Sequence, residues 1–309
     1  MKIEALGEFE LIGELAGLVP PGSSVVRGIG DDAAVLDPGG EAYLLVAADA
    51  CQEGVHFRRQ DGPERIGRKA LAVNLSDLAA MGGRPRWALV CAGFPSDLPL
   101  DFARSLYRGM GKLAAATGTG IVGGDTWRSP GGIVLSVTVV GEVAKSHCLF
   151  RDGASPGEAI CLTGSLGEAA RGKHLDFTPR LEAGRLLGEK FGVTAAIDLS
   201  DGLFADLGQL CRLSGVGARL EASDLPLAPA AAALAGPARL AAAGQGEEFE
   251  LAFTVPEEKL PRLLVEFPGE ASVTVTRIGL TLPAREGLSL WEKDKKLSWP
   301  AVGYDHFKV

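Results

Sequence analysis

Apolar runs of strand length alternate with stretches of helical periodicity along the first half of the chain. These runs are rich in β-branched residues, which is typical of buried strands. Three of them predict strands, at Tyr43–Ala48, Trp87–Ala92 and Ile133–Val140. Between them, Glu64–Met81 and Asp101–Thr117 predict helices, and the glycine pair that follows Met81 ends the first helix.

A turn-rich segment, Arg151–Gly157, interrupts this alternation before a second set of elements begins. The Ala-rich stretch 228–243 predicts helix and surface loop. A helix is predicted over Leu203–Leu213. Strands are predicted over Ala159–Thr163, Ala195–Leu199, Glu250–Val255 and near Val273–Ile278.

Both halves mix strands with helices, which predicts an α/β (α+β) protein. The chain has 309 residues, which is more than a single core comfortably holds. We place a domain boundary near 146–152, at the turn-rich segment. The prediction is an N-terminal domain over 1–148 and a C-terminal α/β domain over 149–309.

Bulk composition narrows the class of protein. Hydrophobic residues make up 46% and charged residues 23% of the chain, as in ordinary globular proteins. No apolar run is long enough to cross a bilayer, and the first residues lack the apolar core of a signal peptide, so we expect a cytoplasmic protein. The five cysteines are widely spread without a Cys-x-x-Cys pair, which indicates reduced thiols rather than disulfides or a zinc site.

The net charge of −8 argues against a nucleic-acid partner, because no basic run exists beyond Lys295-Lys296. An acidic protein can still bind phosphates when metal cations lie between its carboxylates and the ligand. We therefore expect small-molecule partners, with neither nucleic acid nor membrane among them.

Two glycine-rich strings resemble nucleotide-binding motifs without their structural context. Gly118-x-Gly120-x-x-Gly123 matches the dinucleotide fingerprint, but it follows a helix, whereas the fingerprint lies between a strand and a helix. The string that runs from Gly167 to Gly172-Lys173-His174 nearly matches a phosphate-binding P-loop. It has His174 where a Ser or Thr hydroxyl must meet magnesium, so a P-loop is not predicted.

Aspartates beside Gly or Ser recur at the ends of apolar segments. Magnesium prefers carboxylate oxygens, and substrate phosphates usually complete its coordination, so these residues are candidate metal ligands. Turn or cap roles are the alternative for each of them, and Asp201 is the best cap candidate because a predicted helix follows it. The set comprises Asp31, Asp32, Asp49, Asp125, Asp198 and Asp201.

Asp77 lies inside the predicted helix Glu64–Met81, on the same face as Asn74 and among small and apolar neighbours. A carboxylate there is costly unless it is paired or bound to a metal. Pairing with Arg68 or Lys69 is the structural alternative, and a ligand role is favoured.

Two further side chains are candidates on weaker grounds. His56 follows Asp49 by seven residues in Glu53-Gly-Val-His-Phe57, and it is either a ligand contact or an ordinary surface or core histidine. Arg151, at the predicted boundary, could hold a phosphate or could be a solvated loop charge.

These segments together resemble the thiamine-monophosphate kinase family from end to end of the chain. Several of them also occur in aminoimidazole-ribonucleotide synthetase, selenophosphate synthetase and the hydrogenase-maturation dehydratase. The Ile-Asp-Leu-Ser-Asp-Gly and Gly-Tyr-Asp-His-Phe segments are more specific to the kinase. The resemblance rests on Gly7-Glu-Phe-Glu-Leu-Ile12, Gly28-Ile-Gly-Asp-Asp32, Glu53-Gly-Val-His-Phe57, Lys69-Ala-Leu-Ala-Val-Asn-Leu-Ser-Asp-Leu-Ala-Ala-Met-Gly82, Gly123-Gly-Asp-Thr126, Ala196-Ile-Asp-Leu-Ser-Asp-Gly202 and Gly303-Tyr-Asp-His-Phe307.

The resemblance implies a two-domain aminoimidazole-ribonucleotide synthetase-like fold and ATP-dependent phosphorylation of thiamine monophosphate to the diphosphate. It implies a homodimer whose N-terminal sheets join into a barrel, with ATP as co-substrate and several Mg²⁺ ions. Catalysis would involve Asp77, Asp125 and Arg151. The implied ligands of the metals are Asp32, Asp49, Asp77, Asp125, Asp198 and Asp201; those of the nucleotide are Gly124, Asp125, Arg151 and Ser200; those of thiamine are His56, Glu247 and Tyr304.

The chain departs from the family pattern in three places. Ala47 and Ala48 stand where the family usually has two hydroxyl residues, Ala50 stands where Thr or Met is common, and the family's Gly-Gly-Glu-Asp-Tyr-Glu-Leu reads Gln245-Gly-Glu-Glu-Phe-Glu-Leu251.

Two alternative functions stay open at this point. One is an enzyme of the same superfamily that activates an amide or carbamoyl oxygen, and the other is a non-catalytic nucleotide-binding protein.

Overall fold

The computed structural model describes residue 3, residues 6–300, residues 303–304 and residues 306–307. In this part of the chain, the strands form two separate mixed sheets, one of six strands and one of seven. Helices pack on each sheet, so the prediction of an α/β fold with two mixed halves is confirmed. The predicted boundary near 146–152 lies between the last strand of the first sheet, which ends at Ala144, and the first strand of the second, which begins at Glu158.

The N-terminal sheet has the strand order β1-β2-β3-β6-β4-β5, and only the β4–β5 pair is parallel. A parallel pair needs a crossover connection, which the long helix α3 supplies here. The strands are β1 Val25–Arg27, β2 Ala34–Leu36, β3 Ala42–Gln52, β4 Arg84–Phe94, β5 Gly120–Arg128 and β6 Val134–Ala144. The helices of this half are α1 Glu8–Ala16, α2 Pro63–Ala80 and α3 Leu100–Thr117.

Helix α2 is the central element of the molecule. Most of its side chains are buried, because one side packs on the N-terminal sheet while other sides meet α3 and the C-terminal domain. Gly67 makes the α2–α3 contact close: a Cβ at this position would lie 1.9 Å from the carbonyl oxygen of Leu106. A helix buried on several sides can present polar residues to an internal cleft only where a ligand or partner group satisfies them.

The C-terminal sheet has the order β13-β12-β9-β11-β7-β10-β8. Its strands are β7 Glu158–Thr163, β8 Ala195–Asp198, β9 Val216–Glu221, β10 Leu251–Pro256, β11 Val275–Pro283, β12 Leu288–Glu292 and β13 Lys295–Leu297. The helices are α4 Lys173–Asp176, α5 Leu181–Leu186, α6 Leu203–Ser214, α7 Pro229–Ala232, α8 Gly236–Ala243 and α9 Leu260–Ala271. A π-helical turn, Leu187–Phe191, continues α5.

Each predicted element exists, but several strands differ from the prediction. Strand β3 continues through Asp49 to Gln52, so Asp49 lies within a strand and does not close one. Strand β5 was missed, because its glycines and its fully exposed side chains give no apolar pattern. Strands β1, β2, β9, β12 and β13 were also missed. Because β5 contains Asp125, this residue lies inside a strand rather than at the end of an apolar segment.

One face of the N-terminal sheet is open to solvent. The apolar residues of β3 and β4 that point toward α2 are buried, whereas Ala48, Ala50, Trp87 and Leu89, which point the other way, are exposed. Trp127 of β5 lies on this face as well, over Gly93. The exposed face therefore presents large apolar side chains, two tryptophans among them.

Candidate active site

A cleft with a volume of about 840 Å³ lies where the two domains meet. Its walls come from α1, the loop before β2, strand β3, helix α2 and the loops around 200 and 246. Ten of the residues proposed from sequence line it: Asp31, Asp32, Asp49, His56, Asp77, Arg151, Ser200, Asp201, Glu247 and Tyr304.

Three carboxylates converge at the inner end of this cleft. One oxygen each from Asp32, Asp77 and Asp198 lies within 4.8 Å of the others. Asp32 comes from the loop before β2, Asp77 from the last turn of α2 and Asp198 from the end of β8. Asp49 of β3 shares a hydrogen bond with Asp77 and so joins the group. Because Asp198 belongs to the C-terminal domain and the other three to the N-terminal domain, both domains build one acidic cluster.

Neighbouring groups orient these carboxylates. The Ser76 hydroxyl donates to Asp198 Oδ2 over 2.6 Å, and the Arg151 guanidinium donates to Asp32 Oδ1 over 2.7 Å. The backbone N–H of Asp49 donates to Asn74 Oδ1 over 2.9 Å. Asn74, which the helical periodicity placed beside Asp77, therefore fixes strand β3 against α2.

The acidic cluster is electrostatically unfavourable without cations. Burial raises the pKa of Asp77 and of Asp198, and the neighbouring carboxylates raise both further. Asp49 is exposed to the cleft, yet desolvation by the surrounding walls raises its pKa too. Burial also raises the pKa of Asp31 and of Asp201 to about 6. A group of acids with raised pKa values in a cleft is typical of a functional site.

The donor set of the cluster fits a hard divalent cation. All of its side-chain donors are carboxylate oxygens, which Mg²⁺ prefers. Asp32 Oδ2 is buried and has no hydrogen-bond partner among the described residues. A buried acceptor without a partner is costly, and a cation at this position would satisfy it.

Asp201 does not cap helix α6, contrary to the cap alternative. The N-cap residue is Gly202, which provides no side-chain cap. Asp206, one turn into the helix, binds the chain that leads into it: its Oδ2 accepts the backbone N–H groups of Asp201 and Gly202 over 3.0 and 2.9 Å. The side chain of Asp201 is therefore left facing the cleft.

Lys69 does not pair with Asp77, and neither does Arg68. Lys69 is fully buried and donates to the carbonyl oxygen of His56, to His174 Nδ1 and to Glu247. Arg68 donates to the carbonyl oxygens of Leu175 and Phe177. The structural alternative for Asp77 is thus wrong.

Aromatic side chains form the outer wall of the cleft. The rings of His56 and His306 lie 5.2 Å apart, and Tyr304 meets His306 edge-on at 4.7 Å. His56 Nδ1 accepts the backbone N–H of Gln52 over 3.0 Å. Burial lowers the pKa of His56, so this wall presents a neutral imidazole near neutral pH.

Comparison with known proteins identifies the family. Two family models match, "AIR synthase related protein, N-terminal domain" over residues 30–143 and its C-terminal counterpart over residues 136–288. The thiamine-monophosphate kinase of Salmonella typhimurium is 36% identical over 98% of this chain and 99% of that protein. This chain belongs to the thiamine-monophosphate kinase family. The family member from Bacillus subtilis is 32% identical over 98% of this chain and 100% of that protein.

The fold agrees with that family over the whole chain. The solved structure "AaThiL complexed with AMPPCP and TMP" superposes with a TM-score of 0.84 at 30% identity, covering 99% of each chain. The prediction of a two-domain aminoimidazole-ribonucleotide synthetase-like fold is therefore confirmed. Among the described residues, no helix combines the length and the apolar character that crossing a membrane requires.

Gly124 and Asp125 lie apart from the cleft, unlike the other residues that the family resemblance indicated. Gly124 occupies the same register row as Asp49, across β6 and β4. Three strand spacings separate the two backbones by about 14 Å. Asp125 is exposed on the open face of the sheet, so a single copy of this family member does not bring it to the acidic cluster.

The two strings that resembled nucleotide motifs have other roles. Gly118 ends α3 in a left-handed conformation and β5 follows, the reverse of the fingerprint order. In the second string, the backbone N–H groups of Gly167, Glu168 and Ala169 donate to Glu248 Oε1 over 2.6, 2.9 and 3.1 Å. A carboxylate of the protein itself thus occupies the position that a phosphate takes in a P-loop.

The structure shows the surroundings of two of the departures from the family pattern, the alanine pair and Phe249. Ala47 is buried in the N-terminal core, and Ala48 lies at the edge of the cleft. Phe249 is buried and stacks on Phe177 with ring centroids 4.1 Å apart. A hydroxyl on this ring would therefore have to fit a packed aromatic pair.

Sequence reasoning missed Asp206 and His174 as members of the site. Asp206 occurs in an ordinary helix pattern, and His174 stands at the end of a rejected motif. Only the tertiary contacts with Asp201 and with Lys69 reveal them.

Proposed function

We propose that this protein transfers the γ-phosphoryl group of ATP to thiamine monophosphate and so forms thiamine diphosphate. The observation that carries this proposal is the acidic cluster of Asp32, Asp77 and Asp198 at the inner end of a cleft large enough for two substrates. Relatives that match nearly the whole chain are thiamine-monophosphate kinases, and the superposing structure is a complex with AMPPCP and TMP.

Phosphoryl transfer of this kind needs positioning and charge neutralisation more than covalent chemistry. The attacking oxygen belongs to a phosphate monoester whose second pKa is near ~6, so it is ionised near neutral pH without a general base. Arg151 lies at the cluster and would stabilise negative charge on the transferring group, which its bidentate guanidinium suits. Asp32, Asp49, Asp77, Asp198 and Asp201 would hold Mg²⁺, which neutralises the triphosphate when bound.

The remaining cleft residues would bind the organic parts of the substrates. Ser200 would contact the nucleotide near Arg151. His56, Glu247 and Tyr304 would line the site of the thiamine group, because they form the outer wall away from the acidic cluster. A neutral imidazole and a phenol provide flat surfaces on which an aromatic ring can stack.

The protein would act as a homodimer in which the open faces of two N-terminal sheets meet. That face exposes Trp87, Leu89 and Trp127, and exposed apolar patches of this kind mark interaction surfaces. We expect a second copy of this chain to cover this face, because that copy would also give the exposed Asp125 a role. Paired across a two-fold axis, the Gly124-Asp125 segment of one copy would reach the cleft of the other and add a metal ligand there.

The direct test measures ADP and thiamine diphosphate from purified protein with ATP, Mg²⁺ and thiamine monophosphate. Formation of both products in equal amounts supports the proposal. Folded protein that binds MgATP but consumes no thiamine monophosphate would overturn it. ATP consumption with a carboxamide or carbamoyl acceptor would instead favour the amide-activating alternative, and binding without any turnover would favour the non-catalytic one.

A further inference from the structure

Lys69 is a buried cation behind the wall of the cleft, and its environment differs from that of every charge in the acidic cluster. Its side chain has no solvent exposure. An unpaired ammonium in such a place would be strongly unfavourable. Its contacts satisfy all three donors, since they reach the carbonyl oxygen of His56, His174 Nδ1 over 2.7 Å and Glu247 Oε1.

The contact with His174 sets the tautomer of that ring. An ammonium has only donors, so at 2.7 Å it requires the lone pair of His174 Nδ1. The proton of a neutral ring is then on Nε2, an assignment that rests on the hydrogen-bond geometry. Glu247 Oε2 lies 3.2 Å from the same nitrogen, where two acceptors cannot bond each other, so Lys69 is the donor that holds the histidine and the glutamate together.

Glu247 has a backbone conformation that a non-glycine residue rarely adopts. Its φ is +65°, and Phe249 two residues later has a φ of +53°. Such conformations persist where the surroundings impose them, and they are concentrated at functional sites. Here the backbone N–H of Glu247 donates to the Ser200 carbonyl over 2.7 Å, while Lys69 fixes the side chain.

Burial alone would raise the pKa of Glu247, but the neighbouring basic groups, among them the Lys69 ammonium that donates to this carboxylate, outweigh it and lower the pKa. Glu247 is therefore an ionised carboxylate that is neutralised from behind by Lys69. The side of the cleft formed by Glu247 and His56 is held in place by one cation that does not itself reach the cleft.

Helix α2 links this side of the cleft to the acidic cluster. Lys69, Val73 and Asp77 follow one another at intervals of four residues, and Val73 and Asp77 both line the cleft. Eight residues of α-helix span about 12 Å. One rigid, buried helix thus sets the distance between the group that fixes Glu247 and the carboxylate that belongs to the cluster.

We propose that Lys69, together with His174, is a positioning residue for the phosphate acceptor: it holds Glu247 and the His56 backbone at a set distance along α2 from the acidic cluster. This inference rests on the proposed function, in which Glu247 and His56 contact the acceptor. It assigns Lys69 and His174 to recognition of the acceptor and not to binding of ATP.

The test compares steady-state kinetics of Lys69→Met, which keeps the length of the side chain and removes its charge and donors, with those of the wild type. We expect the KM for thiamine monophosphate to rise about tenfold or more, as loss of a hydrogen bond to a charged group predicts. The KM for MgATP should stay within about twofold. Lys112→Met is the matched control, because Lys112 pairs with Glu64 on the exposed side of α3.

A pair of His174 variants of similar size keeps the test decisive if Lys69→Met does not fold. His174→Asn retains an acceptor for Lys69, whereas His174→Leu removes it. We expect His174→Leu to raise the KM for thiamine monophosphate several-fold and His174→Asn to restore most of the affinity. Circular dichroism and thermal unfolding check that each variant is folded.

The outcomes separate the two proposals. An active wild type whose folded Lys69→Met or His174→Leu variant keeps its KM for thiamine monophosphate would overturn the positioning role and leave the kinase proposal intact. An equal rise in both KM values would also overturn it, because the effect would then be general. A wild type without thiamine-monophosphate kinase activity would remove the kinase proposal and this inference with it.

Discussion

Asp77 illustrates how a single residue can be unfavourable for the fold and useful for a site. Its carboxylate shares the end of the cleft with Asp32, Asp49 and Asp198, and burial and repulsion raise its pKa. Arg151 is the only cation that donates a hydrogen bond to the cluster among the described residues. The balance of charge is therefore incomplete until cations are added.

Replacing Asp77 by Asn should have opposite effects on activity and on stability. Loss of a charged metal ligand should lower kcat by roughly 100-fold or more. Even mutation of a residue that only hydrogen-bonds to a metal ligand typically lowers activity or metal affinity by about 10–100-fold. In EDTA, the free energy of unfolding should rise by on the order of 1 kcal/mol, because the amide relieves like-charge repulsion. Kinetics at saturating Mg²⁺ and urea unfolding in EDTA measure the two effects.

The control for this variant is Asp101→Asn, on the exposed side of α3. It should leave kcat unchanged and alter stability by less than about 0.5 kcal/mol. Full activity of Asp77→Asn at limiting Mg²⁺ would contradict the assignment of Asp77 to the metal site.

The loop between β7 and α4 illustrates how an element near the cleft is anchored. Glu248 is fully buried, accepts three backbone N–H groups of this loop and pairs with Lys173. Lys173 also pairs with Glu250, which binds Arg180 in turn. The next residue after Lys173 is His174, so this buried network places the histidine that meets Lys69.

Glu248→Ala should therefore lower the free energy of unfolding by about 3 kcal/mol or more, because Lys173 loses a buried partner and three N–H groups lose their acceptor. Glu248→Gln should cost less, since its amide oxygen can still accept. Urea denaturation measures both. Glu182→Ala, which breaks an exposed pair with Arg185, should cost less than about 1 kcal/mol; an equal cost for both glutamates would contradict the anchoring role.

The acidic cleft gives the whole molecule a pH dependence whose sign follows from the raised pKa values. Asp31 and Asp201 titrate at about 6 in the folded protein, against about 4 in an unfolded chain. The folded state therefore binds more protons between these values, so stability falls as the pH rises from about 4 to somewhat above 6 and then levels off. Glu53 and Glu247 have lowered pKa values. Their ionised forms stabilise the folded state near neutral pH, and this stabilisation is lost only at acidic pH.

In EDTA, the protein should thus be less stable at pH 7.5 than at pH 5.5, by about 1 kcal/mol for each of these two carboxyl groups. Mg²⁺ should raise stability at pH 7.5 and have a smaller effect at pH 5.5. Thermal unfolding at both pH values with and without Mg²⁺ measures this. Equal stability at the two pH values in EDTA would show that the cluster does not retain its protons as described.

The proposed dimer makes a prediction about where a complete site is formed. Chains with Asp77→Asn and chains with Asp125→Asn should each be inactive alone. If Asp125 acts in the cleft of the other subunit, a mixed dimer contains one complete site of two, so the purified mixed dimer should have about half of wild-type activity. If Asp125 acts in its own subunit, no mixture contains a complete site. Co-expression with two affinity tags and an activity assay on the doubly purified dimer decides between these outcomes.

Some parts of the fold and of the site were predictable because they depend on local patterns. The periodicity of α2 placed Asn74 and Asp77 on one face, and the structure confirms this arrangement. Strand β5 was not predictable in this way, because Gly123, Gly124 and exposed side chains remove the apolar signal of a strand. Asp49 appeared to end a strand only because the apolar run stops there, while the hydrogen-bonded ladder continues to Gln52.

By itself, the sequence determined the alternation of elements, the family resemblance and the presence of aspartates beside small residues, because these are properties of neighbours along the chain. The tertiary structure decided which carboxylates converge, that Asp201 faces the cleft and does not cap α6, and that Lys69 binds Glu247 and not Asp77. These outcomes depend on contacts between residues up to 178 positions apart. The free energy of a buried charge is set by whatever the fold brings against it, and no local pattern contains that information.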